Sequence, residues 1–199
     1  MKFFIATKNK HKLTELERIL KPLGIDVISE ADLSEPLAEI EETGTTFEEN
    51  ALLKAKAGLL ATGLPSIADD SGLCVDYLDG APGIYSARFA GEPTDNAKNN
   101  AKLLELLKDV PKEKRTARFV SSVACVFPDG NYFTVRGECE GYIANEPKGT
   151  NGFGYDPLFV SELGCFGEIS DSQKDSISHR GRSLEKLYEK LSEILKEEK

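Results

Sequence analysis

The chain has 199 residues, with 34 acidic against 25 basic side chains and a formal net charge of −9. That length suffices for one substantial core, in one body or two lobes, and the acidic balance disfavours a nucleic-acid backbone as ligand while admitting a small anion that arrives with its own metal. No window reaches the ~18 apolar residues of a membrane span, and the run Phe3-Phe4-Ile5 is too short for a signal peptide, so a cytoplasmic protein is expected.

We read one domain over 1–199, since no stretch looks like a linker. A strand over Phe3 to Ala6 is followed by Leu13, Leu16, Leu20 and Leu23 at helical spacing until Gly24, and Ile25 to Ile28 is the next strand. Thr46 and Glu49 make a capping-box pattern opening a helix with Leu52, Ala55, Leu59 and Leu60 on one face. Leu64 to Ala68 is a buried strand that breaks at Asp69-Asp70, and Gly72 to Val75 resumes the apolar pattern. Thr94 is placed to cap a third helix carrying Ala97, Ala101, Leu104 and Leu107. Arg118 to Phe127 and Tyr132 to Ile143 form an antiparallel hairpin around the turn Pro128-Asp129-Gly130-Asn131. Leu184, Leu187, Leu191, Ile194 and Leu195 end the chain as an amphipathic helix. Helices alternating with strands and then a hairpin point to an α/β protein with a mixed sheet.

Two adjacent carboxylates, Asp69 and Asp70, need an electrostatic partner. Alternation along an extended backbone sends them to opposite sides, so one can bind metal or activate water while the other fixes the loop. Oxygen ligands suit Mg2+ or Mn2+, and two histidines and four widely spaced cysteines leave no His or CxxC cluster for zinc and no disulfide framework. An Asx turn is the structural alternative. Thr7-Lys8-Asn9-Lys10-His11-Lys12 lies between a strand and a helix, where free amides and the helix dipole favour phosphate, although a solvated basic turn has the same composition. Glu39, Glu41 and Glu42 precede Thr43-Gly44, and Lys54 lies two turns into the next helix. One glutamate could complete a metal shell and Lys54 could balance phosphate charge, or the glutamates form a solvated acidic loop. In Gly152-Phe153-Gly154-Tyr155-Asp156, a base could stack on Phe153 or the aromatics could belong to the core. Lys174 and Ser178-His179-Arg180-Gly181 offer donors for an oxo group or phosphate, or ordinary helix-terminus chemistry.

Taken together, Ala6 to Lys12, Glu42 to Ala51, Ile67 to Leu73, Gly80 to Arg88, Gly152 to Pro157 and Ser178 to Gly181 resemble the inosine triphosphate pyrophosphatase family, also called XTP/dITP diphosphatases, over nearly the whole chain. The resemblance implies an elongated mixed β-sheet with flanking helices, two lobes around a central active-site cleft, a homodimer, and Mg2+ dependence with Mn2+ as a substitute. It implies hydrolysis of ITP, dITP and XTP to the monophosphate and pyrophosphate, cleansing the nucleotide pool of deaminated purines. Carried over, Asp70 is proton acceptor and metal ligand and Glu42 the second ligand, with Glu41 as the alternative register. Asp69 and Lys54 are the catalytic neighbours. Thr7, Lys8, Asn9, Lys10, His11, Lys12 and Ser71 hold phosphates, and Phe153, Gly154, Tyr155, Asp156, Lys174, His179 and Arg180 hold the base and sugar. A septum-inhibitor type of pyrophosphatase acting on modified pyrimidine nucleotides, and a nucleotide sensor without turnover, are the competing readings.

Overall fold

The computed structural model describes every residue except Pro36, Ala38, Glu39, Glu198 and Lys199, and only the backbone of Lys10, His11 and Glu197. Glu39, considered above as a possible ligand, therefore lies outside the described residues.

Strands β1 (Lys2–Ile5), β2 (Asp26–Ile28), β3 (Ser66–Val75), β4 (Thr116–Val126), β5 (Tyr132–Ile143), β6 (Phe159–Ser161) and β7 (Gly164–Cys165) form one sheet in the order β2-β1-β3-β4-β5-β6-β7. Parallel pairing of β1 with β2 and β3, and antiparallel pairing of β6 with β5 and β7, make the sheet mixed as expected. Helices α1 (Lys10–Leu20), α2 (Phe47–Thr62), α3 (Asn96–Leu106), α4 (Asp171–Ile177) and α5 (His179–Glu197) flank it. By backbone contacts the chain divides into two compact units. The first comprises Met1–Asp70, Ser121–Gly137 and the chain from Arg182 onward, and the second Ser71–Val120 and Glu138–Gly181. Among the described residues no helix is long and apolar enough to cross a membrane.

In the first unit β1 is apolar throughout its buried part because both of its faces are covered. Leu16 and Leu20 of α1 and Leu184, Leu187 and Leu191 of α5 pack with Phe3, Ile5, Ile67, Val123 and Cys125. On the alternate positions Ala51 and Ala55 of α2 pack with Ala68, Ala124 and Val126. Thus Ile67 belongs to the α1/α5 side and Ala68 to the α2 side, and the alternation continues through Asp69 and Asp70. The helix ends follow local chemistry. Gly24, at φ 71°, closes the 3-10 turn Lys21–Leu23 after α1. Thr46 caps α2 by accepting from Glu49 N, while the Glu49 carboxylate reaches back to Thr45 N at 2.6 Å, one residue earlier than a capping box requires.

In the second unit Leu73, Val75, Leu103, Leu107, Phe119, Phe159, Phe166 and Ile177 belong to one buried core. Phe119 is its aromatic centre, with Phe159 and Phe166 at centroid separations of 4.7 and 5.9 Å. The buried Arg115 guanidinium donates to the carbonyls of Leu107, Val110 and Ala144, so the loop after α3 has its free acceptors satisfied from within the protein.

Three local expectations need correction. Strand β3 runs unbroken through Asp69 and Asp70, because the lysines described below compensate the charges and the ladder need not end. Leu60 is 86% exposed; α2 meets the sheet through the small residues Ala51, Ala55 and Gly58, with Leu52 and Leu59 half-buried beside them. Asp95, not Thr94, caps α3 by accepting from Lys98 N, and the buried face of that helix starts at Asn99 rather than Ala97.

Candidate active site

Two groups of side chains stand out, one in each unit. In the first unit the parity of β3 sends the two carboxylates to different helices. Asp69, on the α1 side, pairs with Lys12 at 2.6 Å. Asp70, on the α2 side, receives Lys54 at 2.9 Å through Oδ1, and the same ammonium reaches Glu42 Oε1 at 2.9 Å. Lys54 can span this gap because α2 lies close to the sheet: a Cβ on Gly58 would stand 2.7 Å from Cδ1 of Phe4. Glu42 is the glutamate brought to the lysine, and Glu41 is exposed.

The electrostatics of this group are those of a crowded, largely buried set of three carboxylates and two ammoniums. Burial pushes the Asp70 carboxyl above its ordinary value; Lys54 opposes that rise and Glu42 adds to it, leaving the shift upward. For Lys54, burial alone would lower the pKa, but Asp70, Glu42 and Asp69 outweigh it and the ammonium is held above its usual range. A carboxylate with a raised pKa is a better proton acceptor than an exposed one, and a lysine locked as a cation is a donor rather than a base.

Among the described residues no three His, Cys, Asp or Glu side chains are gathered so as to hold a metal by themselves. Glu42 and Asp70, two oxygen donors sharing one lysine, still match Mg2+, which is commonly held by one or two carboxylates with phosphate oxygens and water filling the other positions. The residues present therefore fit a metal that is delivered with a phosphate ligand.

The segment leading into α1 has capping chemistry of its own. Asn9 takes the N-cap position and accepts from Lys12 N at 3.3 Å, while Thr7 Oγ1 accepts from Asn9 N at 3.2 Å. Lys8 is exposed. The side chains of Lys10 and His11 lie outside the described residues. Among the described side chains of this basic run, Lys12 is brought to the acidic group.

In the second unit Phe153 is half exposed, with Lys174 Nζ 5.1 Å and Arg180 Cζ 5.9 Å from its ring centroid. The loop around it is fixed from below. Asp156 Oδ2 accepts from Phe153 N at 2.7 Å and from Lys174 Nζ at 2.6 Å, and Gly152, at φ 74°, leaves the space that Asp156 fills. Gly154 O accepts from Asn100 at 3.0 Å. Tyr155 is buried in the core and its hydroxyl donates to Ser86 O at 2.8 Å. Arg180 reaches Ser71 Oγ at 3.5 Å, and buried His179 stacks on Phe119 at 4.8 Å. In this unit, then, Phe153, Lys174 and Arg180 lie together, while Asp156 and Tyr155 hold the loop and His179 is buried against Phe119.

Asn50, which lies within the motif Glu42 to Ala51, and Asn100 are not among the candidate site residues named from the sequence. Asn50 is fully buried and donates to Asp70. Its signal was an amide one helical turn before Lys54, on the face of α2 that is otherwise small and apolar. Asn100 follows Asn99, whose side chain ties Ser86, Ala87 and Ala90; nothing in its spacing distinguishes it from a surface asparagine.

The model of the Ham1 family matches residues 3–190. The chain belongs to the Ham1 family. It is 52% identical over 196 residues to the dITP/XTP pyrophosphatase of Desulforamulus reducens, covering 98% of this chain and 97% of that one. The protein of the same name from Exiguobacterium sibiricum is 52% identical over 199 residues, 99% and 100% of the two chains. Among solved structures, a HAM1 protein from Coxiella burnetii superposes with a TM-score of 0.91 at 39% identity, covering 97% of this chain and 99% of its own. A nucleoside-triphosphatase / dITP/XTP pyrophosphatase from Mycobacterium abscessus gives 0.82 at 47% identity, with coverages of 94% and 97%. These likenesses run through both units of this Ham1-family chain.

Proposed function

We infer that the chain is a dITP/XTP pyrophosphatase, hydrolysing ITP, dITP and XTP to the nucleoside monophosphate and pyrophosphate. The observation that carries this reading is the Lys54 bridge between Glu42 and Asp70, with Lys12 on Asp69, in a chain about half identical to proteins that bear that name. Mg2+, held by Glu42 and Asp70 when bound, supplies neutralisation of phosphate charge, and Mn2+ is its natural substitute. Asp70, the buried carboxylate that Lys54 holds, accepts the proton of the water that attacks the α phosphorus. Lys54 orients the Asp70 carboxylate and counters charge growing on the transferring group. Lys12 and the α1 N-terminus, with Thr7 to His11 and Ser71, take the departing phosphates.

Base selection belongs to Phe153, Lys174 and Arg180, with Gly154, Tyr155, Asp156 and His179 shaping the surface on which they stand. Inosine and xanthosine offer a 6-oxo acceptor, whereas adenosine offers a 6-amino donor; cationic donors aimed at that edge leave adenine mispaired, a mismatch worth ~10⁴ or more in selectivity. A homodimer acting on the cytoplasmic nucleotide pool completes the reading. Release of pyrophosphate from ITP, with ATP a poor substrate, tests it; binding of ITP without turnover would identify a sensor instead.

A further inference from the structure

The mechanism above leaves unused the fully buried polar residue Asn50. Both ends of its amide are engaged. Oδ1 accepts from Gly44 N at 2.8 Å, and Nδ2 donates to Asp70 Oδ2 at 3.4 Å. One turn further along α2, Lys54 takes the other oxygen of the same carboxylate and also Glu42. Each oxygen of Asp70 therefore has its own donor from α2, one neutral and one charged. Gly44 stands two residues after Glu42, and a Cβ there would lie 2.7 Å from Glu49 Cβ and 2.9 Å from Asn50 N, so the loop backbone rests directly on the first turn of the helix. A single buried amide thus connects the loop carrying Glu42 with the carboxylate of Asp70.

We propose that Asn50 is a positioning residue for divalent-metal capture: it sets the spacing between Glu42 and Asp70 and the rotation of the Asp70 carboxylate. The proposal rests on the reading of Glu42 and Asp70 as the metal-holding pair. A neutral amide suits the task because it accepts from the loop and donates to the carboxylate without adding charge to an already acidic group. Leucine, close in size, would do neither.

The test measures metal–nucleotide linkage rather than turnover. The affinity of α,β-imido inosine triphosphate is determined by calorimetry on the full chain with saturating Mg2+ and again in EDTA, and the ratio of the two is the coupling. In Asn50→Leu the coupling is expected to fall about 10- to 100-fold, the range found when groups supporting metal ligands are removed, with the EDTA affinity unchanged. Gly44→Ala, which pushes the loop off α2 from the other side, should do the same and serves if Asn50→Leu does not fold. Loss of affinity in equal measure with and without metal, or unchanged coupling in both variants, would overturn the positioning role. Absence of any coupling in the wild-type protein would instead overturn the metal-pair reading on which the proposal rests.

Discussion

Asp70 stands between a lysine that holds it ionised and a burial that resists ionisation, and its chemistry follows from that tension. Asp70→Asn removes the proton acceptor and one charge but almost no volume, so the fold should survive while turnover falls about 10²- to 10⁴-fold; steady-state kinetics alongside circular dichroism checks both halves. Lys12 and Arg180, which belong to different units, should separate in kinetics as well. Arg180→Ala should erode the preference for inosine over adenosine triphosphate in kcat/KM, each lost charged hydrogen bond being worth ~1.5 to 3 kcal/mol. Lys12→Ala should weaken all triphosphates alike, because Lys12 lies with Asp69 in the group assigned to phosphate and metal. If the lysine change altered base preference and the arginine change did not, the two assignments would have to be exchanged. The residue types of this chemistry were legible in the sequence; their partnerships were not. Glu42, Lys54 and Asp70 meet through tertiary packing of a loop, a helix and a strand, and no periodicity encodes that meeting. The resemblance carries Tyr155 and Asp156 over as base and sugar contacts; both are buried, Tyr155 bonded to Ser86 O and Asp156 to Lys174 and Phe153 N, partnerships that a glycine-rich loop with aromatics does not show in its sequence.

Helix α2 is the element on which the acidic group depends. Its close approach to the sheet requires Gly58, where a methyl group would run into the ring of Phe4. Gly58→Ala should therefore cost ~1 to 3 kcal/mol in a urea melt, and by displacing Lys54 it should lower kcat as well. Near the start of the helix Glu48 accepts from Ser122 and from Arg136, both at 2.8 Å, tying α2 to β4 and β5. Burial pushes the Glu48 carboxyl up, but bonding to Arg136 and Ser122 outweighs it and the net shift is below the ordinary value of 4.5. A depressed folded-state pKa stabilises the protein above the unfolded value and ceases to do so as pH falls through the folded one. Glu48→Gln should accordingly be less stable than wild type at neutral pH, with the difference closing in acid below that value; denaturant melts across the range would show it. The existence and type of the main helices and strands were readable from period and caps. Packing overrides pattern in two places: helical spacing puts Leu60 with Leu52 and Leu59 on a buried face, yet it is exposed while those two pack beside Ala51 and Ala55, and a charged pair that reads as a strand end is tolerated in mid-strand by Lys12 and Lys54.

At the scale of the whole molecule the chain forms two compact units from interleaved segments, with β3, β4 and β5 each contributing residues to both. Six separated motifs could suggest this fold through resemblance, whereas composition and hydropathy alone pointed only to a mixed α/β protein; the division falls inside strands, where sequence carries no linker signal. The acidic group with Lys12 and Lys54 belongs to the first unit and the cluster of Phe153, Lys174 and Arg180 to the second. The proposed reaction is attack of water at the α phosphorus of a deaminated purine triphosphate. Hydrolysis of ITP with Mg2+ in oxygen-18 water, followed by mass spectrometry of the products, tests this directly. Labelled inosine monophosphate and unlabelled pyrophosphate are expected, with little turnover of ATP; inosine diphosphate with labelled inorganic phosphate as the first products would rule out attack at the α phosphorus.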